Sequence, residues 1–123
     1  METIQTTALI KLDFPLNSFY NIGVIRIKDK FTRSKFNHEL VKREGNVAIF
    51  KRWGVGSKDH HYEVVKISKH NGYMMGGAYI EAAETYPGAS LWGIQGWTCT
   101  DLEIAEKRYR KARIRFTKEV VYA

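Results

Sequence analysis

The chain has very little cysteine and proline, and it has no long apolar run. Two of its 123 residues are proline and only one is cysteine. Because a disulfide needs two cysteines, none can form within the chain, which argues against a secreted domain held together by disulfides. The first residues after Met1 lack the basic region and apolar core of a secretory signal. No run approaches the roughly 20 apolar residues that cross a bilayer. The sequence therefore predicts a soluble protein of the cytoplasm that does not enter a membrane.

Length and composition predict one folded domain over residues 1–123. The 123 residues lie within the usual range for a single domain. The hydrophobic fraction of 44% and the aromatic fraction of 13% are typical of a globular core and exclude a disordered chain. We find no repeat, low-complexity segment or linker that indicates a second domain.

Positive charge dominates the sequence. Lys and Arg number 20 against 13 Asp and Glu, giving a formal net charge of +7. Such an excess favours partners rich in phosphate or carboxylate. The charge is also uneven, because no basic residue lies between Lys69 and Lys107, whereas the segment from Lys107 to Lys118 holds seven basic residues and no acid. This pattern predicts either a helix whose charges match its dipole, a basic contact face, or both.

Alternation of apolar residues predicts five β-strands and, before the third, a short helix. The helix is expected over residues 34–44, with Gly45 as its stop. The dipeptide Asn71-Gly72 predicts a type I′ turn between the fourth and fifth strands, and Gly76-Gly77 predicts a bulge or a close backbone approach inside the fifth. The last three strands would then form an antiparallel meander. The strands are expected over residues 3–14, 19–28, 47–53, 62–70 and 73–86.

The C-terminal segment has the pattern of an amphipathic helix. Thr100 and Glu103 have the spacing of a capping box, and an apolar stripe follows at helical spacing. Arg113 lies awkwardly beside this stripe, so a strand over residues 113–117 is the alternative to a longer helix. We predict an α+β fold, a mostly antiparallel sheet of about five strands with this helix packed on one face. The stripe comprises Leu102, Ala105, Tyr109, Ala112 and Phe116.

Catalytic and metal-binding patterns are weak in this sequence. His60 and His61 are neighbours and would point to opposite sides of a strand, without a ligand cluster nearby. Cys99 precedes a helix, which would lower the pKa of its thiol, but no nucleophile motif surrounds it and a buried structural thiol is the preferred interpretation. Glu81 and Glu84 would face opposite sides of a strand. The sequence therefore predicts no enzyme, no cofactor and no metal.

A loop rich in glycine and tryptophan precedes the helix. Trp97, next to the helix start, is expected to seal the helix against the sheet, whereas Trp92 is an equally good candidate for a binding anchor. Basic residues also alternate with aromatics at Lys51-Arg52-Trp53. This arrangement suits phosphate contact with base stacking, and equally suits core aromatics flanked by solvated cations.

Residues 46–112 carry a series of short motifs, which are Tyr62-Glu63-Val64-Val65-Lys66-Ile67, Glu84-Thr85-Tyr86-Pro87, Trp92-Gly93, Gly96-Trp97-Thr98 and Leu102-Glu103-Ile104-Ala105-Glu106. In this order they resemble small uncharacterised proteins encoded by bacteriophages and other bacterial mobile elements. The resemblance covers roughly half the chain and leaves out the first 45 residues. It implies a bacterial host cell as the setting and host machinery, including anti-defence targets, as partners, but it implies no reaction or catalytic residues.

The leading hypothesis is a non-enzymatic basic module that binds nucleic acid or a host nucleoprotein complex. The alternatives are a stoichiometric protein inhibitor that acts through the Trp92 loop, a virion component, and a small enzyme using Cys99 with a histidine. The residues predicted to bind the partner are Lys107, Arg108, Lys111, Arg115, Trp92, Lys51 and Arg52.

Overall fold

The computed structural model describes residues 23–122, with side chains described through residue 117. The described residues divide into two compact units, one of residues 23–26 and 71–83 and the other of residues 27–70 and 84–122. The strand predicted over residues 3–14 lies outside the described residues, and the single domain over residues 1–123 stays a prediction.

The fold is α+β, as predicted, with a five-stranded antiparallel sheet and a C-terminal helix packed against it. The strand order in the sheet is β9-β4-β3-β2-β1. In chain order the elements are β1 (Lys30–Arg33), β2 (Phe36–Glu44), β3 (Val47–Gly54), β4 (His60–Lys66), β5 (Ser68–His70), β6 (Tyr73–Met75), β7 (Ala78–Ile80), β8 (Ala83–Thr85), a short 3-10 helix (Ala89–Leu91), β9 (Gly96–Cys99) and α1 (Leu102–Tyr122).

The central strand β3 is buried on both faces. Four consecutive residues, Val47 to Phe50, are at most 1% exposed, and alternate residues of a strand face opposite sides. Val47 and Ile49 pack towards α1, while Ala48 and Phe50 pack on the opposite face. The helix-side core comprises Val47, Ile49, Val64, Cys99, Ala105, Tyr109, Ala112 and Phe116. The opposite core comprises Ala48, Phe50, Val65 and Ile67, with Ile27, Phe31, Leu40, Tyr86 and Trp92 packed on it.

The short helix predicted over residues 34–44 is wrong, because this segment forms strand β2. Ser34 and Lys35 both adopt positive φ, 52° and 69°, and they form the two-residue turn of the β1–β2 hairpin. Strand β2 pairs with β1 on one side and with β3 on the other. Its helix-forming residues follow this pairing because hydrogen bonding to a strand on each side outweighs local helix propensity.

The predicted strands from residue 62 onwards are divided more finely than expected. The fourth breaks at Ile67 into β4 and β5, and the fifth becomes β6, β7 and β8. The turn between β6 and β7 lies at Gly76-Gly77, with φ of 59° and 83°, whereas Asn71-Gly72 has no positive φ and is not a type I′ turn. The predicted fifth strand does not join the main sheet. The edge strand beside β4 is β9, which comes from the segment before the helix that was predicted as a loop.

The described part of the strand predicted over residues 19–28 does not form a strand. It contains only an isolated bridge between Ile25 and Ala83. Both residues belong to the smaller unit.

Helix α1 begins at Leu102 and continues through Tyr122, so the alternative strand over residues 113–117 is wrong. The capping residue is Asp101, whose carboxylate accepts a 2.9 Å hydrogen bond from the Ile104 amide, so the predicted capping box at Thr100 was placed one residue early. The stripe is buried from Ala105 onwards, but Leu102 is 38% exposed. Arg113 is accommodated by donating to the Glu44 carbonyl oxygen at 3.3 Å.

Candidate functional site

The predicted site residues lie on two opposite faces of the sheet. Lys107, Arg108, Lys111 and Arg115 project from α1 on one side. On β3, Lys51 pairs across the sheet with Tyr62, which packs on the helix-side core, so Lys51 shares that side. Arg52 alternates to the opposite face, and Trp92 packs on the core of that face. No single contact surface therefore contains all seven residues.

A groove with three cations lies between α1 and strand β9. Its volume is about 320 Å³, and Trp97, Ile104, Lys107, Arg108 and Lys111 line it. The Arg108 guanidinium carbon lies 4.9 Å from the centroid of the Trp97 ring, within the range of a cation–π contact. We call these five residues the cationic groove.

The lysines of the cationic groove have no carboxylate partner in the described part of the chain. The nearby carboxylate of Glu106 accepts a 3.0 Å hydrogen bond from Lys42 Nζ on strand β2. Lys107 and Lys111 are both exposed, and no ion pair among the described residues includes either. Arg115 lies one turn further along, exposed, with its guanidinium carbon 5.3 Å from the Phe116 ring centroid.

Cys99 belongs to the helix-side core and is 6% exposed. Burial raises the pKa of its thiol above the ordinary value; the nearby Arg108 charge lowers it in part, and Asp101 adds to the rise. The sequence-based expectation of a lowered pKa is therefore wrong, since desolvation outweighs the helix N-terminus. Among the described residues, Cys99 makes no hydrogen bond to a histidine, and no three His, Cys, Asp or Glu side chains cluster as metal ligands.

A second cavity lies on the sheet face opposite α1. Its volume is about 460 Å³. Residues that lie opposite each other on paired strands share a face of the sheet. His38 on β2 lies opposite Arg52 on β3, and Glu63 on β4 lies opposite Phe50 on β3, so these side chains lie on the same face as the cavity. We call it the sheet pocket, and its principal lining residues are Arg33, Phe36, His38, Arg52, Glu63, Tyr86 and Trp92.

Glu63 is the buried centre of the sheet pocket and is 4% exposed. Tyr86 Oη donates to its Oε1 at 2.6 Å, and His38 Nε2 lies 3.5 Å from the same oxygen. Arg52 Nη1 lies 3.2 Å from Oε2. Burial raises the pKa of Glu63, but the hydrogen bonds from His38 and Tyr86 and the Arg52 charge outweigh burial and lower the pKa below its usual value. Glu63 is therefore held as a carboxylate.

Two nitrogen atoms beside Glu63 lack a hydrogen-bond partner among the described residues. They are His38 Nδ1 and Arg52 Nε, and both are buried. The aromatic surroundings fix their side chains, because the His38 ring stacks on Phe31 at 4.6 Å between centroids with an interplanar angle of 6°. The Arg52 guanidinium carbon lies 4.2 Å from the Phe36 ring centroid. Buried polar atoms without a partner are rare in proteins and indicate a water, an ion or a ligand.

The two tryptophans of the loop pack on opposite faces. Trp97 packs on the helix-side core, as predicted. Trp92 donates from Nε1 to Thr98 Oγ1 at 3.0 Å and lines the sheet pocket. The tryptophan next to the helix cations is thus Trp97, not Trp92.

Sequence analysis missed His38, Glu63 and Tyr86 as site residues. His38 fell inside the wrongly predicted helix, and Arg52 was predicted as a partner contact although its guanidinium pairs with Glu63. One signal was present, since Glu63 is an acid within the run Tyr62-Glu63-Val64-Val65 of a predicted strand. A carboxylate at a central strand position is rarely buried unless it is paired.

Comparison with protein-family models, with curated proteins and with solved structures gives no significant match. The mobile-element origin implied by the resemblance therefore stays a prediction. Within residues 23–122, no helix is long and apolar enough to span a membrane.

Proposed function

We propose that this protein is a non-enzymatic nucleic-acid-binding module that contacts phosphates through the cationic groove. The observation that carries the proposal is the position of Lys107, Arg108 and Lys111 on one helix face beside Trp97, where no described carboxylate pairs with either lysine. Cations that are not neutralised within the protein are available to phosphate oxygens.

Helix geometry places the proposed contacts on a continuous surface. Lys107, Lys111 and Arg115 follow at intervals of four residues, so they lie one above the other along α1. Arg108 lies beside this row and is held over the Trp97 ring. A single-stranded nucleic acid bound along this row would release counterions from its phosphates, and Trp97 would contact a base.

The net charge supports the same partner. The formal charge of +7 attracts a polyanion over a range set by ionic strength. Lys51, Arg52 and Trp92, which the sequence also predicted as binding residues, are not part of this proposal, because Arg52 and Trp92 lie on the opposite face and Lys51 does not line the groove.

The test measures how binding to a fluorescently labelled single-stranded oligonucleotide depends on salt concentration, with fluorescence anisotropy as the readout. For the wild type we expect log K to fall linearly with log salt concentration. In the double variant Lys107→Gln with Lys111→Gln, affinity should fall and the slope should flatten by about 1.4, roughly 0.7 for each lost phosphate contact on a single strand.

The matched control removes the same charge elsewhere. Lys28 and Lys58 are exposed and lie outside the groove, so Lys28→Gln with Lys58→Gln should change the slope much less. Equal effects of the two double variants would contradict a defined groove. Salt-independent binding, or a host protein complex that survives nuclease treatment without nucleic acid, would contradict the proposed partner class.

A further inference from the structure

We propose that the sheet pocket binds a single nucleotide, with a planar base held among aromatic side chains and a phosphate held by arginine. This site goes beyond the nucleic-acid module proposed above, since it lies on the opposite face of the sheet and uses none of the residues of the cationic groove.

The charges of the pocket favour an anion. Two arginines, Arg33 and Arg52, and one carboxylate, Glu63, line the pocket, and these three side chains together carry a net charge of +1. Glu63 is already engaged by Tyr86, His38 and Arg52, and a carboxylate with three donors has little left to offer a cation. Arg33 is exposed and its guanidinium carbon lies 5.5 Å from the Tyr86 ring centroid, at the pocket opening.

The buried nitrogens without partners give the pocket its unfilled hydrogen-bonding capacity. Arg52 Nε carries a hydrogen that no described acceptor takes. His38 is 5% exposed, and with Nε2 directed at Glu63 its Nδ1 atom is left without a partner. A phosphate oxygen accepts the hydrogen bond that Arg52 Nε has to donate.

Aromatic side chains supply the site for a base. Phe36 is 36% exposed and lies under the Arg52 guanidinium. Trp92 is half-buried, and its indole is fixed by the bond to Thr98. Aromatic rings beside a guanidinium suit a flat, polarisable group such as a nucleobase. The volume of about 460 Å³ falls in the range of small-molecule sites, roughly 300–1,000 Å³.

The nucleotide has two sources that share this chemistry. It is either a free nucleoside monophosphate or one unstacked nucleotide of a single-stranded nucleic acid. The two are separated by comparing the affinity for a mononucleotide with that for a short oligonucleotide in the Lys107→Gln with Lys111→Gln double variant, which lacks both lysines of the cationic groove.

The experiment titrates the full chain with AMP, GMP, CMP and UMP, and with the four nucleosides. Binding is measured by calorimetry and by the ¹⁵N shift of His38 Nδ1 in NMR spectra. We expect saturable binding of at least one nucleotide, at least tenfold weaker binding of its nucleoside, and a shift of the His38 signal.

Two variants and one control locate the site. Arg33→Gln, at an exposed position, should weaken nucleotide binding about tenfold or more, as expected for a lost charge-assisted hydrogen bond. Phe36→Leu should weaken binding of nucleotide and nucleoside alike, because it removes a stacking surface. Lys58→Gln removes the same charge from an exposed loop outside the pocket and should leave the affinity unchanged.

Each outcome decides the proposal. In the Lys107/Lys111 double variant, comparable affinity for a mononucleotide and an oligonucleotide supports a free ligand, and much tighter binding of the oligonucleotide supports an unstacked nucleotide of a strand. The absence of saturable nucleotide binding, or binding that Arg33→Gln leaves intact, overturns the pocket. Loss of strand binding in the Lys107/Lys111 double variant with retention of mononucleotide binding shows that the two sites are independent.

Discussion

The hydroxyl of Tyr86 donates a 2.6 Å hydrogen bond to the Glu63 carboxylate on the sheet face opposite α1. The two residues are 23 positions apart in the sequence, and the bond connects the segment before the 3-10 helix to the middle of β4. Burial beside Glu63 raises the pKa of Tyr86 above its usual range, so the phenol stays a donor. This contact holds the segment that carries Trp92 against the sheet.

Replacing Tyr86 by phenylalanine should destabilise the protein. The ring packing on Phe31 and Phe50 is kept, but Glu63 loses one donor while it stays buried. We expect the free energy of unfolding to fall by about 1–3 kcal/mol, measured by urea denaturation. Tyr79→Phe is the control, because this tyrosine is 63% exposed, and its effect should be near zero. Equal losses in both variants would show that the Glu63 bond contributes nothing specific.

Glu63→Gln should change how stability depends on pH. Because the pKa of Glu63 is lowered in the folded state, the unfolded chain binds this proton more readily. Its stabilisation is therefore fully present above the unfolded pKa of about 4.3, and it is lost as the pH falls through the folded pKa. The wild type should exceed the variant in free energy of unfolding near neutral pH, and the difference should shrink on acidification.

The control for the pH series is Glu39→Gln, which removes a carboxylate whose side chain is 43% exposed and lies 3.7 Å from Lys30 Nζ. Its difference from the wild type should stay small and nearly constant over the same pH series. A Glu63→Gln difference that does not shrink on acidification would contradict the lowered pKa.

The ion pair between Arg43 and Glu84 should contribute more than the surface pairs. Arg43 Nη1 and Nη2 donate to the two carboxylate oxygens at 2.9 and 2.6 Å, and the side chains are only 15% and 12% exposed. Arg43→Lys keeps the charge but loses the two-pronged geometry, and we expect a loss of about 1–3 kcal/mol in thermal or urea unfolding. Lys30→Met, at a pair whose side chains are 78% and 43% exposed, should change stability by less than about 1 kcal/mol.

The turn between β1 and β2 offers a stabilising substitution. Lys35 adopts a φ of 69° without being glycine, a conformation that costs about 1 kcal/mol for most residues. We expect Lys35→Gly to raise the free energy of unfolding by a few tenths to about 1 kcal/mol. Lys58→Gly, at a position without a positive φ, should be neutral or destabilising, because glycine adds freedom to the unfolded chain. A destabilised Lys35→Gly variant would contradict the turn.

Gly96 is required by the close approach of Trp92. A methyl group on Gly96 would come within 2.5 Å of Trp92 Cζ3, whereas one on Gly88 would meet nothing within 4 Å. Gly96→Ala should therefore displace the indole, lower the free energy of unfolding by about 1–3 kcal/mol and alter the sheet pocket. Gly88→Ala should leave stability nearly unchanged, and the indole signal in ¹H–¹⁵N NMR spectra reports the displacement. An unmoved Trp92 signal in Gly96→Ala would count against this packing.

Local patterns predicted the fold class because they depend on neighbours in the sequence. The burial of Ala105, Tyr109, Ala112 and Phe116 follows the 3.6-residue period of a helix, and β3 was predicted to within one residue of its observed end. The helix start was predicted one residue early because Thr100 and Asp101 are both good capping residues. Spacing alone does not decide between them.

Pairing between distant segments decided the rest. Residues 34–44 contain good helix formers, but pairing with a strand on each side makes residues 36–44 strand β2. A register shift between Leu40 and Lys42 then places Lys42 beside Glu106 and Arg43 beside Glu84. No local pattern contains that shift, because it depends on the partner strand.

The sequence by itself determined that this chain folds as an amphipathic helix on an antiparallel sheet and that its surface is cationic, because periodicity and net charge are properties of composition and spacing. Only the tertiary structure decided which face each functional side chain occupies. It set Trp97 beside the helix cations and joined His38, Arg52, Glu63 and Tyr86 around one cavity. The physical reason is that strand register and chain closure bring together residues that no sequence interval relates.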